Sequence, residues 1–169
     1  MDHPSSVEEG WGNVDGVVVL GAHGGAGTTT LARLLPDPSY DLGPVMDPSG
    51  SARQVHTAGL PIILVTRNTV PSAASASTAV AELGKQGLRP GCLVIVSDGA
   101  GPEPREAKVL FRMLEPHVGS ASGGALVRFS FIPSLRGSEE VPTAEELPRR
   151  SAVELTRIKE LILQKDIES

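Results

Sequence analysis

The stretch VVVLGAHGGAGTTTLARLL, residues 17–35, most constrains what this chain can fold into. It begins with an apolar run typical of a buried strand and ends with a hydroxyl-led apolar segment typical of a helix. Between them, Gly24, Gly25 and Gly27 allow positive φ angles and a close approach of the backbone to a ligand. Successive amides in such a turn form a concave anion site, and the first turn of the helix adds more unpaired amides. The stretch therefore predicts a strand, a glycine loop and a helix that present a site for an anion.

The rest of the chain continues this alternation of strands and helices. Short apolar runs bounded by glycine, proline or polar residues occur at residues 17–20, 60–65, 92–96 and 125–132. Unbroken apolar strands suit a parallel sheet that is covered on both faces. We therefore predict an α/β fold with a mostly parallel, doubly wound sheet of about five strands and helices on both faces. In such a sheet, ligands bind at the carboxyl ends of the strands, where the glycine loop also falls.

Three further helices are predicted from periodicity and end signals. One covers residues 70–87, with Pro71 near its first turn and glycines near its end. A second starts at residue 103 or 104 and ends near residue 117, with one apolar face formed by Ala107, Leu110, Met113 and Leu114. The last covers residues 151–169, and its apolar stripe consists of Val153, Leu155, Ile158, Leu161, Ile162 and Ile167.

Length and composition limit the protein class. The 169 residues are enough for one domain, which we place at residues 14–169 after a flexible leader at residues 1–13. The net charge of −5 argues against nucleic-acid binding through the overall field. The lone Cys92 excludes an intramolecular disulfide and is expected to be a buried apolar residue. The polar amino terminus and the mixed charges of the last helix argue against a membrane role, so we expect a cytoplasmic protein.

The segment AHGGAGTTT, residues 22–30, resembles the deviant P-loop of the MinD and ParA family, whose pattern is KGGxGK[ST]T. The resemblance spans most of residues 15–140 and implies a shortened P-loop NTPase-like fold. It also implies that ATP and magnesium, if bound, lie on the loop. The implied phosphate-binding residues are Gly24, Gly25, Ala26, Gly27, Thr28, Thr29 and Thr30, and Thr29 would also contact the metal.

Two departures from the family pattern concern its lysines. His23 stands at the position of the signature lysine, and Thr28 stands at that of the loop lysine. Losing a charge-assisted hydrogen bond costs about 1.5–3 kcal/mol, or roughly ten- to a hundredfold in affinity. Hydrolysis should suffer more than binding, because the lysines stabilise charge that develops in the transition state.

A cation from elsewhere in the chain could replace the two missing lysines. No lysine precedes Lys85, and Arg33 lies on a helix that should point away from the phosphates. Arg53 and Arg67 follow predicted strands and are better placed. The alternative interpretation is that both arginines belong to the solvated surface.

The segment DLGPVMDPSG, residues 41–50, is similar to a family strand that ends in an aspartate followed by a proline and glycine turn. The resemblance implies that Asp47 holds magnesium through water, whereas Asp-Pro-Ser-Gly is also good chemistry for an ordinary Asx turn. The family's catalytic aspartate has no evident counterpart, and Asp37 and Asp41 are the nearest acids. Farther along, VRFSFIPSLRG resembles the strand that leads into the family's base-contacting loop.

Only about a dozen residues separate Leu35 from Asp47, where the MinD and ParA family has a long insert. This short middle segment, the loop GAHGGAG and the segment LVIVSDGAG also resemble a group of short uncharacterised actinobacterial proteins associated with mobile elements. Three functions follow from the sequence. The first is a nucleotide-binding regulatory or assembly accessory of DNA transfer or segregation, with weak or no hydrolysis, and a functional ATP-binding switch ATPase is its alternative. The second is a pseudo-ATPase scaffold that has lost its ligand. The third is an enzyme that uses the loop for another anion, although no nucleophile and base motif supports it. A protein partner is expected in the first two cases, and a homodimer is left open.

Overall fold

The computed structural model describes residues 11, 14–97, 101–119, 125–130 and 149–168, with side chains as far as residue 163. The amino-terminal half forms β1 (Val17–Gly21), α1 (Thr28–Leu34), β2 (Ser39–Pro44) and β3 (Ile62–Arg67). The carboxyl-terminal half forms α2 (Val70–Lys85), β4 (Cys92–Ser97), α3 (Arg105–Leu114), a 3₁₀ turn (Glu115–His117), β5 (Leu126–Ser130) and α4 (Arg149–Glu168). The predicted strand–helix alternation is confirmed.

All the described strands are parallel, in the order β2-β1-β3-β4-β5. After β1 the chain moves to one side and forms β2, then crosses back to place β3 on the other side of β1. Right-handed crossovers consequently put α1 and α2 on opposite faces of the sheet. The strand order therefore reverses at β1, which is the position where doubly wound sheets bind ligands.

Burial explains why the central strands are unbroken apolar runs. All five residues of β1 are buried, as are residues 62–66 of β3 and 92–96 of β4. β2 lies at the edge of the sheet, and its residues are half-buried or exposed, with Tyr40 49% exposed. Cys92 is fully buried, as predicted, and burial raises the pKa of its thiol to about 12.

Two predicted core positions on the helices are wrong. Met113 of α3 is 65% exposed, while Phe111, which the sequence pattern passed over, is fully buried. The apolar face of α3 is therefore centred on Ala107, Phe111 and Leu114. Val153 of α4 is 62% exposed.

The other predicted stripe positions of α4 that the structure describes are buried, and the helix packs on β4 and β5. Ile167 lies beyond the described side chains. The buried stripe of this helix therefore packs on the sheet. Among the described residues, no helix is long and apolar enough to cross a membrane.

Trp11 lies inside the segment predicted to be a leader. Its side chain is 2% exposed, and its indole Nε1 donates to the carbonyl oxygen of Pro36 at 2.8 Å. That bond ties the chain before β1 to the segment just after α1. The other residues of the predicted leader, 1–10, 12 and 13, lie outside the described residues, as do residues 131–137 of the VRFSFIPSLRG segment.

Candidate functional site

The glycine loop connects β1 to α1 at the carboxyl edge of the sheet. Its geometry depends on two glycines in the left-handed region, Gly25 with φ 78° and Gly27 with φ 104°. Gly27 precedes α1 directly and accepts a hydrogen bond from the amide of Leu31 at 3.1 Å. Because left-handed backbone is costly for residues with a Cβ, glycine is the residue that suits both positions. The predicted strand, loop and helix are thus present.

Most of the loop's amides are not used by the fold. No acceptor among the described residues takes a hydrogen bond from the amides of Gly24, Gly25, Gly27, Thr28 and Thr29. Gly24, Gly25 and Thr29 are exposed, while Thr28 and Thr30 are half-buried and Ala26 is buried. A run of amides that the fold leaves without an acceptor, on a tight turn, is an arrangement that binds phosphate-like anions. α1 is only seven residues long, so its dipole adds little to this site.

Thr29 is paired with a carboxylate that the sequence did not assign to it. Its Oγ1 donates to Oδ2 of Asp41 on β2 at 2.7 Å, and Oδ1 of Asp41 accepts from the amide of Gly43 at 3.0 Å. The pairing of β1 with β2 shifts register between Val19 and Leu20, next to this contact. The sequence indicates Asp41 only as one of the acids nearest to where the family's catalytic aspartate is missing. What identifies it is its place in β2, opposite Val19 of the neighbouring strand β1, and the sequence alone does not show that pairing.

Arg67, the last residue of β3, reaches the glycine loop. Its Nε donates to the carbonyl oxygen of Gly25 at 2.7 Å. The contact is possible because β3 pairs directly with β1, with Val65 opposite Gly21. Of the two arginines that the sequence offers as replacement cations, Arg67 is therefore the one beside the loop.

Arg53 lies elsewhere. Its Nη1 donates to the carbonyl oxygens of Leu42 at 2.9 Å and Pro44 at 2.8 Å, both on β2. These bonds occupy polar atoms of the edge strand, which would otherwise be open to a further strand. Arg67 thus contacts the glycine loop, whereas Arg53 contacts the edge strand β2.

His23 lines a cavity of about 320 Å³ beside the loop. Its Nδ1 lies 2.9 Å from the carbonyl oxygen of Gly24. Since a carbonyl oxygen only accepts, Nδ1 carries a proton in this contact. Nε2 is buried and has no partner among the described residues. The cavity continues along Met46 and Asp47 to the side of α2 that carries Ser75 and Thr78.

Asp47 lines the same cavity, but its carboxylate is used by a local turn. Oδ1 accepts from the hydroxyl of Ser49 and from the amides of Ser49 at 2.9 Å and Ser51 at 3.0 Å. The Ser49 hydroxyl is the largest cause that lowers the pKa of Asp47 from its ordinary 3.8. The structure therefore shows the Asx turn, while the water-mediated magnesium role stays a prediction.

Two protein oxygens beside the loop could contribute to a magnesium site that a phosphate ligand completes. Among the described residues, no group of three or more histidine, cysteine, aspartate or glutamate side chains is placed to hold a metal. Magnesium, however, is usually held by one or two protein oxygens together with phosphate oxygens and water. The hydroxyl of Thr29 and the carboxylate of Asp41 form such an oxygen pair, and a P-loop places a hydroxyl and an aspartate there.

A second cavity, of about 370 Å³, opens at the carboxyl ends of β4 and β5. One wall is an ion pair in which Arg128 donates from Nε and Nη2 to both oxygens of Glu103, at 3.1 and 3.0 Å. Glu154 of α4 accepts from the amide of Ser130 at 2.9 Å on another wall. These charges are already paired, so this cavity offers a polar lining with little net charge.

Comparison with protein-family models, with curated proteins and with solved structures gave no match.

Proposed function

We propose that this chain is a regulatory protein that binds a nucleotide, with ATP as the first candidate, on its glycine loop and hydrolyses it weakly or not at all. The observation that carries the proposal is the run of loop amides that no described acceptor occupies, set beside the hydrogen-bonded Thr29 and Asp41. Amides, a hydroxyl and a carboxylate are the groups that hold phosphate and magnesium in P-loops.

Weak hydrolysis follows from the groups that the loop lacks. His23 and Thr28 stand where the family has lysines, so charge that develops during phosphoryl transfer is less well stabilised. The nearby carboxylates are also poor general bases. Asp41 is tied to Thr29, and the lowered pKa of Asp47 makes that group a weaker proton acceptor. A protein of this kind would act through its bound state rather than through turnover.

A direct binding experiment tests the proposal. Thermal unfolding and calorimetric titration are measured with ATP, ADP, GTP and GDP, with and without magnesium, and phosphate release is followed in parallel. We expect stabilisation that depends on magnesium, with phosphate release close to background. Gly27→Asp should abolish the stabilisation, because it puts a negative side chain and a strained residue into the loop. Gly87→Asp is the matched control, since Gly87 also has positive φ (75°), is exposed, and lies after α2, away from the loop.

A ligand-free scaffold is the second candidate, and one observation favours it. The bonds from Arg67 to Gly25 and from Thr29 to Asp41 hold the loop in place without help from a ligand. If no nucleotide shifts a cooperative unfolding transition, the nucleotide proposal fails and the loop is a structural turn. The chain would then act through a partner-binding surface.

The cellular role that we propose is that of an accessory in DNA transfer or segregation by a mobile element, with a protein partner. The support for this role is the resemblance of residues 22–30 to the MinD and ParA loop. Sedimentation with and without magnesium ATP measures whether the protomers associate as a homodimer. A nucleotide-dependent change in mass would make the bound state a switch, while a constant mass would assign the effect to another partner.

A further inference from the structure

We propose that Arg67 supplies the positive charge that the loop lacks at positions 23 and 28, so that it is the phosphate-binding cation of this site. The inference rests on the proposed nucleotide function and adds a residue to it. The observation is the hydrogen bond of 2.7 Å from Nε of Arg67 to the carbonyl oxygen of Gly25, which fixes the guanidinium against the loop from a neighbouring strand.

The other cations of the amino-terminal half do not compete for this role. Arg53 is bonded to the carbonyl oxygens of β2, and Arg33 lies exposed in the last turn of α1, away from its loop end. No lysine occurs before Lys85, which pairs with Glu82 at the far end of α2. Among the described side chains, Arg67 is thus the cation that contacts the loop.

The charge of Arg67 is also not neutralised by the protein that the structure describes. No carboxylate within that part of the chain lies within the 4.0 Å that defines an ion pair with its guanidinium. Arg67 is half-buried, so solvent screens it less than a free surface arginine. A guanidinium stays protonated at any working pH, and the bond to Gly25 uses one of its five N–H donors. A charge of this kind favours an anionic ligand nearby.

The arrangement also lowers the entropic cost of binding. A surface arginine loses rotamer freedom when it closes on a ligand, and this loss opposes binding. Arg67 is already held by Gly25, so less of this freedom is lost when phosphate binds. The planar guanidinium can donate two parallel hydrogen bonds to phosphate oxygens. Its attraction to the ligand grows as the number of phosphates, and so the negative charge, rises. Arg67 should therefore contribute more to the affinity for ATP than to that for AMP.

The test compares magnesium ATP, ADP and AMP affinities by calorimetry for matched variants of the full chain. Arg67→Gln removes the charge and keeps an amide donor for Gly25, and Arg53→Gln removes the same charge from the edge strand. We expect Arg67→Gln to weaken ATP binding by roughly ten- to a hundredfold and AMP binding much less. Arg53→Gln should leave all three affinities near those of the unmodified chain.

A rescue variant separates charge from loop structure. Arg67→Gln combined with Thr28→Lys restores a cation from the loop itself, and we expect it to recover most of the lost ATP affinity. Equal ATP affinities for the unmodified chain and Arg67→Gln would overturn the role of Arg67 alone. A loss that Thr28→Lys does not recover would also overturn it, since the arginine would then act only through loop structure. If the unmodified chain binds no nucleotide, the proposed function fails together with this inference.

Discussion

Replacing Gly27 by alanine tests whether the loop depends on left-handed backbone, before any ligand is added. The φ angle of Gly27 is 104°, a region that costs a residue with a Cβ about 1–2 kcal/mol. An added Cβ would lie 3.9 Å from Cγ2 of Val96, an ordinary contact, so no clash adds to this cost. In a chain of this size each kcal/mol lowers Tm by about 2–4 °C. We therefore expect Gly27→Ala to lower Tm by roughly 2–8 °C in thermal unfolding followed by circular dichroism.

Gly24→Ala is the matched control, because the two glycines lie three positions apart in one exposed loop. The φ angle of Gly24 is outside the left-handed region, and an added Cβ there would have no heavy atom within 4 Å. The free energy of unfolding of Gly24→Ala should stay within about 0.5 kcal/mol of that of the unmodified chain. If both alanine variants unfold at the same temperature, Gly27 does not need its left-handed conformation and the loop geometry argued above is wrong.

Three further results are expected. Phe111→Ala should lower the free energy of unfolding by about 3–5 kcal/mol in urea denaturation, whereas Met113→Ala, at a position 65% exposed, should change it by less than about 0.5; similar losses would contradict the assigned face of α3. Because the pKa of Asp47 is lowered in the folded state, its carboxylate stabilises the protein above the ordinary pKa of 3.8 and ceases to as pH falls through the folded value. The difference in free energy of unfolding between the unmodified chain and Asp47→Asn should thus shrink on acidification from pH about 5. A constant difference would contradict the stabilising role of the Asp47 carboxylate in the turn. Cys92 should react with a thiol reagent only on unfolding, since burial raises its pKa to about 12; fast labelling of the native protein would disprove its burial.

The strands of the sheet could be predicted because each is marked by its own residues and by those next to it in the chain. Each of the runs at β1, β3 and β4 is apolar and β-branched, and the turns that follow are marked by glycine or polar residues, so strand type and parallel direction follow from neighbouring residues. The face of α3 was harder to predict. Leu110, Phe111, Met113 and Leu114 permit two overlapping stripes about a third of a turn apart, and contact with α2 decides between them.

The glycine loop was predicted from its own residues, but its partners were not. Thr29 meets Asp41 only because β2 lies beside β1, whereas the sequence had indicated Asp47 as the acidic residue of the site. Arg53 and Arg67 both follow apolar segments, and only the strand order places one at the loop and the other at the edge. Contacts that depend on the order of strands in a sheet are not encoded by local pattern, so the sequence alone left these alternatives open.

The bond between Trp11 and Pro36 gives the protein an internal optical reporter. The chain contains one tryptophan, so all indole emission comes from this buried position. Pro36 follows α1, and α1 begins at the loop, so a ligand that moves the helix also changes the surroundings of the indole. Nucleotide titrations can therefore be followed by emission wavelength without a label. The same signal reports when the chain before β1 detaches from the domain.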